Sequence, residues 1–343
     1  MTPRERFLKT LNFQNRDKLP LIEWAEWWDV TYERWVNEGL LSDLKLDGPI
    51  GRLLYGPPLE KSHEYFTLDP SHCLMANALC DAPLPECHGG PRIKNEEDYE
   101  KIKHLLYKED SIDDMIKVAL SHKPRHDRGE IIVRLWLIGF FHFPRCLFGI
   151  EDHFFAFYDN PDLMHRINMD LAEYNLRAIE KLFNYFIPDM AALAEDMSYN
   201  HGPMLSYECF KEFLLPYYKL VVPAMKKYGV KVFVDSDGDV TTMIPWLIEA
   251  GIDGVYPLER QAGVDIVNLR NDYPQFLFLG GFDKMVMSKG ENAMRAEFER
   301  ILPVMRTGGY IPSVDHQTPP DVSLKDYKLY MKLFHEYCEK AAG

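Results

Sequence analysis

Short apolar runs alternate with longer amphipathic segments over most of the second half of the chain. Residues 131–136 form an apolar run of the kind found in buried strands, whereas Leu163, Ile167 and Leu171 recur at the spacing of one helical face. The predicted strands are residues 131–136, 190–194, 230–234, 254–256, 276–279 and 309–312. Each is followed by a predicted helix, and the closing helix covers residues 324–339.

The first third of the chain is less regular. Thr2, Pro3 and Glu5 form a capped helix start, and this helix is expected to end near Asn12. Residues 18–22 are predicted to form a short strand. Residues 37–126 contain many Pro and Gly and show no strong period. We interpret them as an excursion that covers one mouth of the fold and could include short strands.

The alternation of strands and helices predicts a parallel sheet covered by helices. About eight such units close into a barrel, and 343 residues suffice for one such domain. No glycine-rich phosphate loop of the GxGxxG or Walker type is present, which disfavours a doubly wound sheet. We therefore predict an α/β fold, a (β/α)8 TIM barrel forming a single domain over residues 1–343. An open α/β sheet is the alternative.

Composition narrows the classes of partner. The formal net charge is -14, so the surface repels phosphate backbones and anionic lipids, and we expect no nucleic acid or membrane partner. No apolar stretch approaches the length of about 20 residues that spans a membrane. The N-terminus lacks the apolar core of a signal peptide, and the six cysteines follow no disulfide framework. We expect a cytoplasmic protein.

Acidic residues follow most of the predicted strands. In a parallel barrel these positions meet at the carboxyl ends of the strands, where reactive groups lie. Some acids cap helices, and Asp239 and Asp265 are well placed to do so. The others would repel one another unless a cation, a basic substrate or protonation intervenes. The candidate polar residues are Glu26, His142, Glu195, Asp196, Asp235, Asp237, Glu259, Asp283, Asp315 and His316.

Two of these carboxylates and one imidazole could hold a divalent metal. Asp235 and Asp237 leave one strand two residues apart, and His316 follows the last strand. Together they could ligate zinc or another divalent ion, with Glu195 as a fourth group. The alternative is that Asp and His form an ordinary hydrogen-bonded pair. The His and Cys residues between His72 and His88 lack zinc-site spacing and are interpreted as ordinary side chains.

Aromatic residues near the first predicted strand could contact a flat organic substrate. Trp24, Trp27 and Trp28 follow residues 18–22, and Glu26 lies among them. Core packing is the alternative for about half of the aromatic clusters, because large rings dominate protein cores. We predict Trp24, Trp27, Trp28, His142 and Asp283 as substrate-binding residues.

The order of several motifs resembles the uroporphyrinogen decarboxylase superfamily across nearly the whole chain. The resemblance rests on Arg4-Glu5-Arg6, Asn15-Arg16-Asp17-Lys18-Leu19-Pro20, Glu195-Asp196-Met197, Gly202-Pro203-Met204-Leu205-Ser206, Asp235-Ser236-Asp237-Gly238-Asp239, Tyr256-Pro257-Leu258-Glu259, Gly280-Gly281-Phe282-Asp283-Lys284, Gly308-Gly309-Tyr310-Ile311-Pro312, Asp315-His316 and Pro320-Asp321-Val322-Ser323. It implies a (β/α)8 barrel and one of two chemistries. Decarboxylases of this family clamp a tetrapyrrole with N-terminal arginines, but residues 22–27 contain no arginine.

The second branch contains cobamide-dependent methyltransferases. In the family that this chain resembles, the thiol-methylating members of this branch bind zinc through a His-x-Cys pair and a later Cys. Here Asp235 and Asp237 stand at the pair, and Val314, Asp315 and His316 stand at the later position. Oxygen-rich ligation suits harder metals and the activation of an ether oxygen or carboxylate. Demethylation of a methoxylated compound is one reaction that fits this set.

The leading hypothesis is a methyltransferase-type enzyme that moves a methyl group between a small methylated substrate and a corrinoid protein. Asp235, Asp237 and His316 would hold a metal or the substrate, and Glu195 and Glu259 would act as acid/base or orienting groups. The predicted catalytic residues are Glu195, Asp237, Glu259 and His316. One alternative is a decarboxylase acting on a small or tetrapyrrole-like acid. The other is a non-catalytic tetrapyrrole or corrinoid binder.

Overall fold

The central element of the computed structural model is a parallel sheet. The model describes residues 1–24, 27–40 and 57–342, without the side chains of residues 57–60, so the predicted candidate Glu26 lies outside the described residues. The strands are β1 (Ser71–Met75), β2 (Ile132–Ile138), β3 (Met190–Ala194), β4 (Ser198–Tyr199), β5 (Gly202–Pro203), β6 (Lys231–Asp235), β7 (Gly254–Tyr256), β8 (Leu277–Leu279) and β9 (Tyr310–Ile311). Seven of them form a parallel sheet in the order β1-β2-β3-β6-β7-β8-β9, and β4 and β5 form a small antiparallel pair.

Helices cover the outer face of this sheet. They are α1 (Pro3–Leu11), α2 (Asp29–Asn37), α3 (Pro57–Tyr65), α4 (Glu96–Lys103), α5 (Glu109–Asp127), α6 (His142–Phe148), α7 (Ile150–Asp159), α8 (Pro161–Phe183), α9 (Tyr207–Phe213), α10 (Leu215–Lys226), α11 (Ile244–Glu249), α12 (Ile266–Asp272), α13 (Glu291–Met305) and α14 (Leu324–Lys340). Thr2 caps α1 and accepts from the Glu5 amide, as predicted. Among the described residues no helix is both long and apolar enough to cross a membrane.

The sheet is curled, and its two faces pack into two separate cores. Ile132 of β2, Phe233 of β6 and Ile311 of β9 belong to one inner cluster, so strands from distant parts of the sheet face a common interior. Phe7 and Leu11 of α1 complete this cluster near the amino ends of the strands. The outer face packs against the helices in a larger core. The predicted α/β class is confirmed.

An extended segment lies where the first strand was predicted. Residues 18–22 are not a strand in the structure, which corrects that prediction; Pro20 has no amide hydrogen to give to a ladder. The Asp69 amide just before β1 donates to the Leu21 carbonyl over 2.8 Å. On the other side, the Trp24 amide donates to Ser313 Oγ just after β9 over 3.2 Å. Residues 19–24 therefore fill the seam between the two edge strands of the sheet.

Much of the segment from 37 to 126 belongs to the main fold, which corrects its interpretation as an excursion. β1 pairs in parallel with β2, so that Cys73 lies opposite Arg134. Ile112 and Ala119 of α5 have no exposed surface and pack in the outer core. The polar residues in β1 hide the apolar pattern of a buried strand, and residues 76–95 are the longest stretch of the described part of this segment without helix or strand.

Candidate functional site

Alternation along the strands decides which side chains face the interior at the carboxyl end of the sheet. Phe233 faces the inner cluster, so Asp235, two residues later on β6, points to the same side. Trp136 at the end of β2 also packs against this cluster. Its indole Nε1 donates to Asp235 Oδ2 over 3.1 Å. These two side chains mark the polar end of the interior, where the predicted acids were expected to meet.

Three predicted residues converge at this end. Asp237, Glu259 and His316 each offer a ligand atom, and these atoms all lie within 4.8 Å of one another. His316 Nε2 lies 3.3 Å from Asp237 Oδ1, and Glu259 Oε2 accepts from the Gly238 amide over 2.7 Å. The three side chains come from the loops after β9, β6 and β7. They form a constellation of two carboxylates and one imidazole that could hold a metal ion.

A tight glycine turn brings Asp237 and Glu259 together. Gly238 has φ +81°, and a Cβ atom there would lie 2.6 Å from the backbone of Tyr199. A larger residue could not adopt this turn without displacing the β4–β5 hairpin. The glycine of the Asp-Ser-Asp-Gly motif thus places its amide hydrogen against the Glu259 carboxylate.

Asp235 is a different kind of carboxyl group from Asp237. Burial, together with the nearby charges of Asp196 and Asp237, raises the pKa of Asp235 to about 8. A neutral Asp235 is a poor ligand for a cation, because metal ligation needs the carboxylate. The geometry therefore groups Glu259, not Asp235, with Asp237 and His316. Of the predicted metal set, the structure brings together Asp237 and His316, with Glu259 beside them, and metal binding stays a prediction.

The contact with Asp237 favours the protonated form of His316. Burial works to lower the pKa of His316, but the hydrogen bond and the charge of Asp237 outweigh it and raise the pKa. The alternative interpretation of an Asp–His hydrogen-bonded pair therefore also describes these contacts. A metal ion would have to displace this proton.

Lys284 is a neighbour that the motif analysis did not single out as functional. Its Nζ lies 3.6 Å from Asp315 Oδ1 and 4.0 Å from Glu259 Oε1. Burial raises the pKa of Asp315 to about 6, although Lys284 opposes this shift. Asp283, predicted to bind substrate, caps the turn that follows by accepting from the Met285 amide, and it also accepts from Gln261. Its contacts are those of a capping residue.

Glu195, predicted to be a catalytic group, has the surroundings of a structural anchor in the fold. Its side chain has no exposed surface. The carboxylate accepts from the amides of Phe140, Phe141 and His142 at 2.7–3.3 Å and from the Tyr218 hydroxyl. Burial raises the pKa of Glu195, and these four donors work against that shift. Glu195 thus fixes the loop between β2 and α6 from the outer side of the sheet.

The neighbouring Asp196 is the acid that joins the predicted His142. Asp196 has φ +43°, and its Oδ2 lies 3.2 Å from His142 Nδ1 and 3.2 Å from Arg145. Burial works to lower the pKa of His142, but its hydrogen bonds to Asp196 and Cys146 raise it to about 10. Burial works to raise the pKa of Asp196, but His142, Arg145 and the charge of His316 lower it, so this group borders the three-ligand cluster.

The three predicted tryptophans have three different environments. Trp24 forms edge-to-face contacts with Tyr256 and His316 at centroid distances of 5.4 and 5.6 Å, which places it beside the cluster. Trp27 is 1% exposed and packs among core aromatic rings, which matches the core-packing alternative for this residue. Trp28 is 40% exposed at the start of α2.

Glu23 is a buried acid that the motif analysis did not select. Its carboxylate accepts from Ser313 Oγ at 2.6 Å, the Tyr330 hydroxyl at 2.7 Å and the Val314 amide at 3.2 Å. Trp24 Nε1 donates to the Val314 carbonyl over 2.7 Å. The seam segment and the loop carrying His316 are therefore tied together. The apolar residues around Glu23 in the sequence were the one signal that it would be buried.

Comparison with known proteins agrees with this architecture. The family model described as uroporphyrinogen decarboxylase (URO-D) matches residues 144–337, more than half of the chain. The chain belongs to this family. No curated protein sequence matches it significantly.

Solved structures extend the likeness to the rest of the chain. A methyltransferase from Methanosarcina mazei superposes with a TM-score of 0.63 at 14% sequence identity, covering 98% of this chain and 99% of that chain. At this identity the similarity shows the fold alone. The β-glycosidase from the hyperthermophile Thermosphaera aggregans gives a TM-score of 0.45 at 9% identity, covering 81% of this chain and 84% of that chain, and carries no argument.

Proposed function

We propose that this protein is a methyltransferase-type enzyme that moves a methyl group between a small methylated substrate and a corrinoid carried by a partner protein. The observation that carries the proposal is the convergence of Asp237, Glu259 and His316, whose ligand atoms lie within 4.8 Å of one another. A divalent metal held there could act on the substrate atom that releases the methyl group. Membership of a family with a methyltransferase branch supports this choice over other metal chemistry.

The donor set fits a divalent cation of intermediate or hard character. Two carboxylates and one imidazole suit zinc, cobalt or manganese, and the cluster lacks the thiolate that a thiol-activating zinc site uses. Lys284 Nζ lies 4.0 Å from Glu259, so an incoming cation competes with one ammonium group. The site therefore suits activation of an oxygen or nitrogen leaving group.

The residues of the chain have distinct tasks in this proposal. Asp237, Glu259 and His316 bind the metal, which supplies Lewis-acid activation of the leaving group when bound. Trp24 lies edge-on to His316 and offers an apolar wall for the substrate. Asp196 holds His142 at the rim, where it can orient a polar substituent. A corrinoid carried by a partner protein would supply the nucleophile for methyl transfer.

We also propose that residues 1–343 form one barrel domain in which residues 19–24 occupy the eighth position. This segment makes contacts with Asp69 before β1 and with Ser313 after β9. An extended, strandless segment at this position would close the barrel without a continuous ladder.

Metal binding by purified protein is the first test. We expect near-stoichiometric zinc or cobalt after loading and dialysis, measured by elemental analysis. Asp237→Asn and Glu259→Gln should each lower affinity more than about tenfold, because each removes a charged ligand. Asp283→Asn is the matched control: it removes an acid from a neighbouring loop that caps a turn, and should leave affinity unchanged.

Methyl transfer is tested with reduced free corrinoid and a panel of methoxylated and methylated-amine donors. Methylation of the corrinoid by the wild type, and its loss in Glu259→Gln, would support the proposal. Metal loading without activity on any donor, with or without cell extract as a source of partner protein, would contradict methyl transfer. No metal binding in the wild type would contradict the metal site itself.

A decarboxylase is the second candidate, and the position of Asp235 favours it. Asp235 lies at the polar end of the interior and accepts a hydrogen bond from the Trp136 indole at 3.1 Å. In a decarboxylase, the Asp235 carboxyl group would act on an acid substrate bound beside these aromatic rings. Release of carbon dioxide from a substrate without corrinoid, abolished in Asp235→Asn, would select this candidate over methyl transfer.

A further inference from the structure

A histidine and a cysteine of α6 lie beside an aspartate from the loop after β3. Cys146 and His142 are four residues apart, so they lie on the same face of this helix. The His142 ring hydrogen-bonds to the Cys146 thiol, and its Nδ1 lies 3.2 Å from Asp196 Oδ2. A thiol beside an imidazole that a carboxylate orients is the arrangement that activates a cysteine.

The charged side chains around Cys146 and His142 are mainly cationic. Arg145 of the same helix donates to the Asp196 carbonyl at 2.9 Å and lies 3.2 Å from its carboxylate. Arg92, from the loop before α4, donates to the Cys146 carbonyl. His153 of α7 is buried, and burial lowers its pKa to about 3, so it adds no charge. Asp196 is thus the anion beside His142, Arg145 Nη2 lies 3.5 Å from His142 Nδ1, and the charges of Arg92 and Arg145 act on the Cys146 thiol.

These surroundings distinguish Cys146 from other cysteines of the chain. Burial works to raise the pKa of Cys146, but His142, Arg92 and Arg145 lower it below the usual value for a thiol. Burial raises the pKa of Cys73 to about 11 and also raises that of Cys338. Cys146 is only partly buried and packs against the edge of the outer core, whereas Cys73 and Cys338 are buried.

We propose that Cys146 is a modification site, a thiolate paired with the His142 imidazolium that reacts with low-molecular-weight disulfides. In this step the Cys146 sulfur forms a bond to one sulfur of the disulfide, the disulfide bond breaks, and the released thiolate carries away the electron pair. The disulfide is the oxidant. The proposal does not depend on the metal or on methyl transfer.

The location of the pair gives the modification a consequence. His142 contacts Asp196, which borders the cluster containing His316. A mixed disulfide at Cys146 adds bulk and removes the hydrogen-bond partner of His142 at this rim. Modification should therefore impair binding at the site while leaving the fold intact.

The test compares the wild type with Cys146→Ser, His142→Gln and Asp196→Asn. Thiolate absorbance is titrated first, since it does not depend on access of a reagent to the sulfur. We expect the difference between wild type and Cys146→Ser to titrate below the usual thiol range of about 8.5. Glutathione disulfide should then modify Cys146 before the exposed Cys87, as measured by peptide mass spectrometry.

The histidine variant separates an activated thiol from an ordinary exposed one. His142→Gln should move the titration upwards and slow modification near neutral pH by about tenfold or more. Asp196→Asn should have a smaller effect in the same direction. A titration of Cys146 at or above the ordinary thiol range, or one that His142→Gln leaves unchanged, would overturn the proposal. So would a thiolate that glutathione disulfide fails to modify while Cys87 reacts.

Discussion

At the scale of single residues, Glu195 and Asp196 show how adjacent acids take different roles. Glu195 accepts four hydrogen bonds, three from backbone amides and one from the Tyr218 hydroxyl. Backbone amides are donors only, so the Tyr218 oxygen is the one partner among the four that could accept a hydrogen bond from a protonated Glu195. A buried carboxylate satisfied in this way holds the loop that presents His142. Its contribution is to structure, although its raised pKa would suggest an acid catalyst.

Glu195→Gln should therefore destabilise the protein. The glutamine amide group would face backbone donors in place of an acceptor oxygen, at a cost of about 2–4 kcal/mol. The measurement is the free energy of unfolding in urea. Glu97→Gln is the control, because the Glu97 side chain is 79% exposed and should change stability little. Unchanged stability combined with lost activity would return Glu195 to the catalytic groups.

The sequence predicts which loops carry the site but not which acid of each loop faces inward. Asp237, Glu259 and His316 follow three different strands and converge, as expected for residues at the carboxyl ends of parallel strands. Successive strand residues alternate between the two faces of a sheet, and nothing in the apolar run before Glu195 distinguishes the interior from the outer core. Both faces of a parallel barrel sheet are buried, so the strand sequences show no alternation of apolar and polar residues. Without that alternation, the sequence does not reveal which residues of a strand face the interior.

At the scale of elements, the seam between residues 19–24 and β9 depends on the buried Glu23. Its ordinary pKa is 4.5, and burial raises it to about 7 in the folded protein. The folded state therefore binds this proton more tightly than the unfolded chain. Glu23 contributes stability below about pH 4.5, and this contribution is lost as the pH rises through about 7.

Glu23→Gln should weaken this pH dependence. Glutamine stays neutral at every pH. The free energy of unfolding of Glu23→Gln, relative to that of the wild type, should therefore rise by on the order of 3 kcal/mol between about pH 4.5 and 7. The melting temperature of the variant should rise relative to that of the wild type over the same range. Differential scanning fluorimetry across this range measures the effect. Glu23→Ala is the comparison, since it removes the partner of Tyr330 and Ser313 and should destabilise at every pH. Parallel pH profiles for wild type and Glu23→Gln would refute the assignment.

Elements with long periodic patterns are predictable, and those shaped by tertiary contacts are not. Strands β2, β3 and β6 lie within a residue or two of their predicted positions, because each is a mainly apolar run. β1 contains Ser71 and His72, and its burial comes from α5 packing over it. The seam segment lacks a ladder although its sequence is apolar. Neither fact is encoded in local spacing.

At the scale of the whole molecule, the excess of acids agrees with a site that recruits cations. The formal net charge is -14, and Asp196, Asp237 and Glu259 are among its acids that lie near one another at the carboxyl ends of the strands. A field of this sign concentrates metal ions and cationic substrates and repels polyanions. It also disfavours a tetrapyrrole with many carboxylates, consistent with Glu23 in place of an arginine at the seam.

A metal at this cluster would connect three separate loops and should stabilise the entire fold. Ligands from the loops after β6, β7 and β9 come together only in the native state. Binding that is confined to the native state adds about 2.7 kcal/mol when free metal exceeds Kd by about a hundredfold. We expect zinc or cobalt to raise the melting temperature of the wild type and of Asp283→Asn, but not that of Glu259→Gln. The expected rise is larger above the pKa of His316, because the imidazole must lose its proton to ligate. An equal rise in all three proteins would mean that the metal binds elsewhere on the acidic surface.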